Sequence, residues 1–233
     1  MGENFLYCLS IYKIRSNFPQ NFEGDMHITE PTTMLTDYAL ALLTGYFARR
    51  LMKMSAQQRS MQLWSAAFFV TASAAVVGGT SHGFALYLND LWQAIIWKTT
   101  VYAIGVASFC MLAGTLIATI KPPLQKWLVA VTGAKFLVYA FWMINHNQFK
   151  YVIYDYAPAM LAVLALQIYA HFACRDPAAP RIIAGVLISF FAAGVQQSGF
   201  TIHQHFNHND LYHVIQMGAI YLLFRGASLL QDD

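Results

Sequence analysis

The stretch TTVYAIGVASFCMLAGTLIATI, from Thr99 to Ile120, decides the fold class of this chain. It carries no charge between Lys98 and Lys121. An α-helix needs about 20 apolar residues to cross the hydrocarbon core of a bilayer, and this stretch is longer than that. Its small residues allow close helix packing in lipid. The stretch therefore predicts a transmembrane helix.

Six further apolar stretches predict, together with this one, a bundle of seven transmembrane helices. The predicted spans are residues 34–51, 61–80, 92–118, 124–144, 151–172, 182–200 and 212–230. Their connections are short and hold no linker or repeat, so residues 26–233 are interpreted as one all-α, polytopic membrane domain. Residues 1–25 are expected to be a poorly ordered extension, because the apolar run from Phe5 to Ile11 is too short for a signal peptide.

The composition excludes most soluble classes of protein. Of the 233 residues, 58% are hydrophobic and 11% are charged, whereas typical soluble domains carry roughly 25% charged residues. The net charge of +3 comes from basic residues in short connections, so no nucleic-acid partner is expected. The expected surroundings are membrane lipids, in a bacterial inner membrane or in a eukaryotic endomembrane or plasma membrane. The oligomeric state is left open.

The basic residues predict the orientation of the bundle. Eight of them lie at or just after the ends of predicted spans one, three and five: Arg49, Arg50, Lys53, Arg59, Lys121, Lys126, Arg175 and Arg181. The opposite connections hold only Lys150. Because short basic loops stay in the cytoplasm, the N-terminus is predicted to lie outside and the C-terminus inside.

The histidines collect on the predicted outer side. Seven of the eight map there: His27, His82, His146, His203, His205, His208 and His213. Five carboxylates lie on the same side: Glu30, Asp37, Asp90, Asp155 and Asp210. Lys and Arg alone set the orientation, so this clustering is an independent indication of a polar site.

The densest part of the cluster is SGFTIHQHFNHNDLYHVIQ, from Ser198 to Gln216. On a helix that begins near Asn207, Asn209 and His213 share a face. Imidazoles with an oxygen ligand suit Zn²⁺. His82 and His213 are the first candidates, because an unpartnered imidazole in or beside an apolar span is costly. For the rest of the histidine-rich loop, a solvated role without a ligand remains the alternative.

These residues resemble the CREST superfamily of seven-span membrane hydrolases, which includes alkaline ceramidases and the adiponectin-receptor group. That family has a Ser and a His at the end of the second span, an Asp soon after, and an HxxxH pair in the last span, and its three histidines bind zinc. Here GGTSHGF supplies Ser81 and His82, YLNDLW supplies Asp90, and HNDLYH supplies His208 and His213.

The N-terminal stretch TEPTT, with Glu30, is similar to the acidic segment that binds calcium in alkaline ceramidases. The resemblance therefore implies Ca²⁺ as a second metal beside Zn²⁺. Glu30 and Asp37 are the candidate ligands for it.

Two positions depart from the family pattern. The family Ser lies four residues before its His, where this chain has Gly78, so a hydroxyl would come from Thr80 or Ser81. The HxxxH pair is broken as well, because Asn209 stands four residues before His213. His208, one residue further back, is the expected third ligand. The alternatives are His205, Asn209 and Asp210.

The resemblance implies a zinc-dependent hydrolase of a lipid amide or ester, with its site at the extracytoplasmic end. His82, His208 and His213 would hold Zn²⁺. Asp90 would orient a water or take its proton, and Ser81 or Thr80 would stabilise the developing oxyanion.

Two other classes stay open. The outer cluster could belong to a transporter or receptor that handles metal ions or protons, with Lys98 and Lys135 in a relay. Alternatively, His82 and His213 could ligate a haem. Both lysines lie within predicted spans, so each is expected to snorkel to an interface or to pair inside the bundle.

Overall fold

A computed structural model describes residues 27–203 and 205–232 of the protein, so the predicted extension at residues 1–25 lies outside the described residues. The described chain forms seven helices of 20 to 30 residues. They are α1 (Pro31–Met54), α2 (Arg59–Phe84), α3 (Asp90–Thr119), α4 (Leu124–Asn145), α5 (Phe149–Tyr169), α6 (Ala179–Ser198) and α7 (His208–Ala227). A short 3-10 turn follows α2, and a π-helical turn follows α5.

Five segments are long and apolar enough to cross a membrane. They are Arg59–Tyr87, Asp90–Thr119, Leu124–Asn145, Phe149–Cys174 and Ala179–Ser198. α1 and α7 reach the required length but are less apolar. The all-α class is thus confirmed, and the five apolar helices indicate a membrane protein. The count of seven spans and the orientation stay predictions.

Local signals explain where the last two helices end and begin. Gly199 ends α6 in the left-handed conformation, with φ +68°, which glycine adopts without steric cost. Asn207 begins α7 through a capping box: its side chain accepts from the Asp210 N–H, while the Asp210 carboxylate accepts from the Asn207 N–H. The cap starts α7 at His208, four residues before the predicted start of the span at 212.

The helices run alternately up and down, which gives the bundle two distinct ends. Thr29, before α1, donates from its backbone N–H to the carbonyl of Gly83 near the end of α2, at 3.0 Å. This end, where α1, α3, α5 and α7 begin, is called the histidine end. At the opposite end, Asp232 accepts hydrogen bonds from the N–H groups of Arg59 and Ser60 at the start of α2. It is called the basic end.

Toward the basic end, the interior of the bundle is a densely packed apolar core. Leu51, Trp64 and Ile182 come from three helices and are fully buried. α6 and α7 approach so closely that a Cβ on Gly226 would lie 3.0 Å from the backbone nitrogen of Ile182. α2 packs between α1 and α3, and α7 packs between α6 and α1. α4 lies at the periphery, mainly against α3.

The two lysines within the helices have different partners. Lys98 on α3 donates to the carbonyl oxygens of Met143, Ile144 and His146 at the end of α4, so it caps that helix. Lys135 on α4 pairs with Asp155 on α5, with 2.8 Å between Nζ and Oδ1. Lys98 therefore binds helix carbonyls, whereas Lys135 pairs inside the bundle.

Candidate functional site at the histidine end

Three helices bring polar side chains together at the histidine end: the start of α1, the end of α2 and the start of α7. The Glu30 N–H donates to the carbonyl of His82 at 3.2 Å, which ties α1 to α2. The amide of Asn207 reaches the hydroxyl of Thr33 at 3.5 Å, which ties α7 to α1. The side chains around these contacts form what is called here the polar centre: Glu30, Thr36, Asp37, His82, Asp210 and His213.

His213 is held at both ring nitrogens. Its Nδ1 lies 2.9 Å from the hydroxyl of Thr36, and its Nε2 lies 3.2 Å from Oδ1 of Asp37. The Thr36 hydroxyl donates to the carbonyl of Thr33 at 3.0 Å. Since that donation uses the hydroxyl proton, Nδ1 of His213 is assigned as the donor to Thr36.

This assignment leaves Nε2 of His213 facing the carboxylate of Asp37. In a neutral ring with the proton on Nδ1, Nε2 is an acceptor, and an ionised carboxylate only accepts. The Asp37 and His213 side chains are each only 8% exposed, so water does not relieve the opposition. A hydrogen on one of these two atoms, or a metal ion between them, therefore satisfies both.

His82 is oriented by a second carboxylate. Its Nδ1 lies 2.9 Å from Oε2 of Glu30. Burial raises the pKa of the Glu30 carboxyl, but the hydrogen bond and the charge of His82 outweigh that effect, so the net pKa lies below its usual value. His82 is also near enough to Asp37, Asp210 and His213 for their charges to interact. The structure thus brings the two first-choice histidines to one centre.

Glycines on α2 make room for Asp37. A Cβ on Gly79 would lie 2.9 Å from the Cβ of Asp37, closer than real Cβ contacts come. A Cβ on Gly78 would lie 3.5 Å from Oδ2 and 3.8 Å from Oδ1 of Asp37. The carboxylate therefore lies beside the position at which the resembling family carries its Ser.

Asp210 adds a second buried carboxylate. It is 1% exposed, and its Oδ2 accepts from the N–H of Asn207 at 2.7 Å. Its Oδ1 is buried without a hydrogen-bond partner among the described atoms. Such an oxygen is expected where a water or an ion completes the site.

The other predicted site residues lie around the centre or outside it. His208 is close enough to Glu30 for their charges to interact. The Oδ1 of Asn209 accepts from Nε2 of Gln196 on α6 at 3.1 Å, so its amide is engaged there. His205 is exposed, and its backbone N–H donates to Nδ1 of His203.

The residues that were predicted to be catalytic are not among those that form the polar centre. Asp90 is exposed at the start of α3. Thr80 donates to the carbonyl of Val76 at 2.8 Å, and its oxygen lies 3.0 Å from the Tyr38 hydroxyl. Ser81, beside His82, is half-buried.

Sequence reasoning missed the part that Thr36 and Asp37 play beside His213. Asp37 was only a candidate for a second metal, although one signal was available: a carboxylate inside a helix-length apolar stretch is costly without a partner. No sequence pattern indicated Thr36, because its role depends on where α7 lies.

The geometry fits zinc in part. Two ligands about 2.0 Å from a tetrahedral Zn²⁺ lie about 3.3 Å apart, close to the 3.2 Å between Nε2 of His213 and Oδ1 of Asp37. Within residues 27–203 and 205–232, however, no three His, Cys, Asp or Glu side chains are arranged to hold one metal ion.

Comparison with known proteins shows the family. The family of unknown function DUF6962 matches residues 32–232, so the chain belongs to it. No curated protein and no solved structure matches the chain.

Proposed function

We propose that this member of DUF6962 is a membrane-embedded, zinc-dependent hydrolase of a lipid amide or ester, with its site in the polar centre. The observation that carries the proposal is the buried pair of Asp37 and His213. Their facing acceptor atoms need a proton or a metal ion between them, and their 3.2 Å separation matches two neighbouring zinc ligands. The resemblance of the GGTSHGF and HNDLYH motifs to a zinc hydrolase family supports the same ion.

Zinc, when bound, would polarise a carbonyl and lower the pKa of a water. The imidazole ligands would come from His82 and His213. Glu30 would orient His82 through Nδ1, and Thr36 would orient His213 in the same way. Such partners fix the ring so that the other nitrogen points at the metal.

Asp210 is the best-placed side chain to accept a proton from the attacking water. It is buried next to His213 on α7, and its Oδ1 has no described hydrogen-bond partner. Asp90, the base predicted from the sequence, is exposed at the start of α3. Thr80 and Ser81 remain the candidates to donate a hydrogen bond to the oxyanion.

The substrate would reach this site from one side of the membrane. The apolar core of the basic half closes the other side. In the proposed arrangement all seven helices cross the bilayer, and the basic end is cytoplasmic because the Lys and Arg residues collect there. The polar centre would then face the outer leaflet, which supplies lipid amides and esters.

The test is metal content together with lipid hydrolysis by the purified full chain. We expect about one zinc per chain and hydrolysis of a fluorescent ceramide or a matched lipid ester. The variant His213→Ala should lose both. His146→Ala is the matched control, because His146 lies at the same end but stacks on Trp142 outside the polar centre. Retained hydrolysis in folded His213→Ala protein would overturn the proposal.

A proton-handling transporter or receptor is the second candidate, and the same pair favours it. A shared proton between His213 and Asp37 satisfies both facing atoms without a metal ion. It also agrees with the lack of three metal donors around one point in the described part of the chain. Deeper in the bundle, the ion pair of Lys135 and Asp155 would give a transported proton a second polar site.

Proteoliposomes with a pH-sensitive dye inside would distinguish this candidate. Metal-free protein that moves protons, and loses the flux in Asp37→Asn, would favour the transporter over the hydrolase. Visible absorption of the same preparation tests the haem alternative, since a bound haem gives a Soret band.

A further inference from the structure

An apolar cleft lies between α3, α4 and α5, on the side of the basic end. It forms because α4 packs mainly against α3 and makes few contacts with α5. Its volume is about 480 Å³, and its walls include Leu112, Leu116, Leu128, Ala165 and Leu166. Thr132 also lines the cleft, but its hydroxyl donates to the carbonyl of Leu128 at 2.9 Å. The interior of the cleft therefore suits a hydrocarbon group.

A polar contact closes the inner end of the cleft. Lys135 lies one turn beyond Thr132 on α4, and its Nζ lies 2.8 Å from Oδ1 of Asp155 on α5. The same ammonium donates to the backbone carbonyl of Asp155 at 2.7 Å. These contacts join α4 to α5 on the side of the histidine end, and the cleft opens between the two helices on the other side.

The depth of the cleft matches one leaflet of a bilayer. The rise of an α-helix gives about 12 Å between Leu112 and Ile120, which both line the cleft. Half of the hydrocarbon core of a bilayer is about 15 Å thick. Because α3, α4 and α5 are all long and apolar enough to cross a membrane, the cleft would lie among the acyl chains of the leaflet at the basic end.

The mouth of the cleft carries positive charge. Lys121 lies between α3 and α4, Lys126 lies in the first turn of α4, and both are exposed. Among the described residues, neither ammonium has a carboxylate as an ion-pair partner. Trp127 and Tyr169 are exposed at the same end, and such aromatic side chains lie at the interface between membrane and water. An anionic head group at that depth would therefore meet two free ammonium groups.

A lipid fits this face better than a second copy of the chain does. Two copies related by a two-fold axis along the membrane normal would bring Lys121 and Lys126 of both chains to the same end. Like charges would then repel each other. A phosphodiester supplies the opposite charge, and its acyl chain supplies an apolar body of the required length.

We propose that the cleft binds one acyl chain of an anionic phospholipid, and that Lys121 and Lys126 bind the phosphate of that lipid. Basic groups beside a cleft between transmembrane helices select anionic head groups in this way. The bound chain would fill the space between α4 and α5 and hold the peripheral helix α4 in place. The site lies at the opposite end from the polar centre, so it goes beyond the proposed hydrolysis and does not depend on it.

Native mass spectrometry of the full chain in detergent tests the head-group contact. Anionic dioleoyl-phosphatidylglycerol and zwitterionic dioleoyl-phosphatidylcholine are added in separate titrations. We expect one tightly bound phosphatidylglycerol per chain and weaker binding of phosphatidylcholine. Lys121→Gln/Lys126→Gln should weaken phosphatidylglycerol binding by about fivefold for each lysine. Arg50→Gln/Lys53→Gln removes the same charge from exposed positions of α1 at the basic end, so this control should bind as the parent does.

Two further measurements test the acyl chain. Ala165→Phe places a ring in the cleft and should weaken the binding of both lipids. Ala130→Phe adds the same ring at an exposed position of α4 that does not line the cleft, and it should bind as the parent does. In the unaltered protein, phosphatidylglycerol with a diazirine in its acyl chain should label cleft residues such as Leu116 and Leu166 on illumination.

The outcomes separate the lipid from other occupants. Equal affinity of the parent for the two lipids, or unchanged affinity in Lys121→Gln/Lys126→Gln, would overturn the proposal. A dimer of the parent that Ala165→Phe dissociates would also overturn it, because a second copy would then cover the cleft. If Ala165→Phe does not fold, the diazirine label decides, and labelling confined to other helices would contradict the proposal.

Discussion

At the basic end, Leu51, Trp64 and Ile182 are fully buried among apolar neighbours. At the histidine end, Asp37 and His213 are almost as buried, yet both are polar. Burial alone therefore does not distinguish the two ends. The difference is that apolar packing stabilises the basic end. The histidine end instead contains polar side chains whose burial costs free energy unless each has a partner.

This contrast indicates that the two ends contribute differently to the stability of the fold. Apolar side chains of similar volume would fill the histidine end at less cost in folding free energy. Titratable groups that three helices bring to one buried centre are typical of a functional site. The basic end should consequently control the stability of the bundle, and the histidine end should control ligand binding.

The largest expected effect is at the basic end. Ile182→Ala removes a fully buried side chain that packs where α6 meets α7. We expect it to lower the free energy of unfolding by about 2–5 kcal/mol, because a cavity remains. Thermal unfolding in detergent measures the loss. Leu187→Ala, on an exposed part of the same helix, is the matched control and should change little.

Zinc content of the folded fraction should be unchanged in Ile182→Ala. If this variant loses the metal while it is still folded, the two ends are coupled, and the division between a stability end and a binding end is wrong.

Much of the fold could be predicted from the sequence, because lipid imposes a length on each apolar stretch. The predicted span 124–144 coincides almost completely with α4, at Leu124–Asn145. The prediction was poorest for α7, whose polar first turn, from His208 to Leu211, did not count as apolar. A capping box sets that start, and hydropathy does not register it.

The site was predictable in part for a related reason. His82 and His213 stood out because imidazoles in apolar helices need partners. The identity of those partners depends on how α1 packs against α2 and α7, which a single sequence does not encode in any local spacing. Thr36 and Asp37 were therefore not predicted beside His213, and Asn209 was not predicted to bond with Gln196.

A smaller effect is expected at the edge of the histidine end. Lys98→Met removes the ammonium that binds three carbonyls at the end of α4, among them Ile144 at 3.2 Å. We expect a loss of about 1.5–3 kcal/mol, as for hydrogen bonds made by a charged group. Hydrogen exchange should show faster opening of the last turn of α4. Lys150→Met, whose ammonium lies over the Tyr151 ring, is the control.

Lys98→Met should leave the zinc content unchanged, because Lys98 binds the end of the peripheral helix α4 and does not contact the polar centre. A loss of metal in the folded variant would place Lys98 in the functional site and extend that site to α4.

The smallest expected effect compares two helix caps. Asn207→Ala and Asn89→Ala each remove an N-cap side chain, from α7 and α3 respectively, and each should cost about 1 kcal/mol in thermal unfolding. Only Asn207 also holds Asp210 in place, because its side-chain Oδ1 accepts from the Asp210 N–H at 3.3 Å, a bond that the alanine variant lacks. Loosening of the first turn of α7 should therefore weaken zinc binding in Asn207→Ala and leave it unchanged in Asn89→Ala. Equal zinc affinity in the two variants would show that Asp210 and the start of α7 contribute to folding alone.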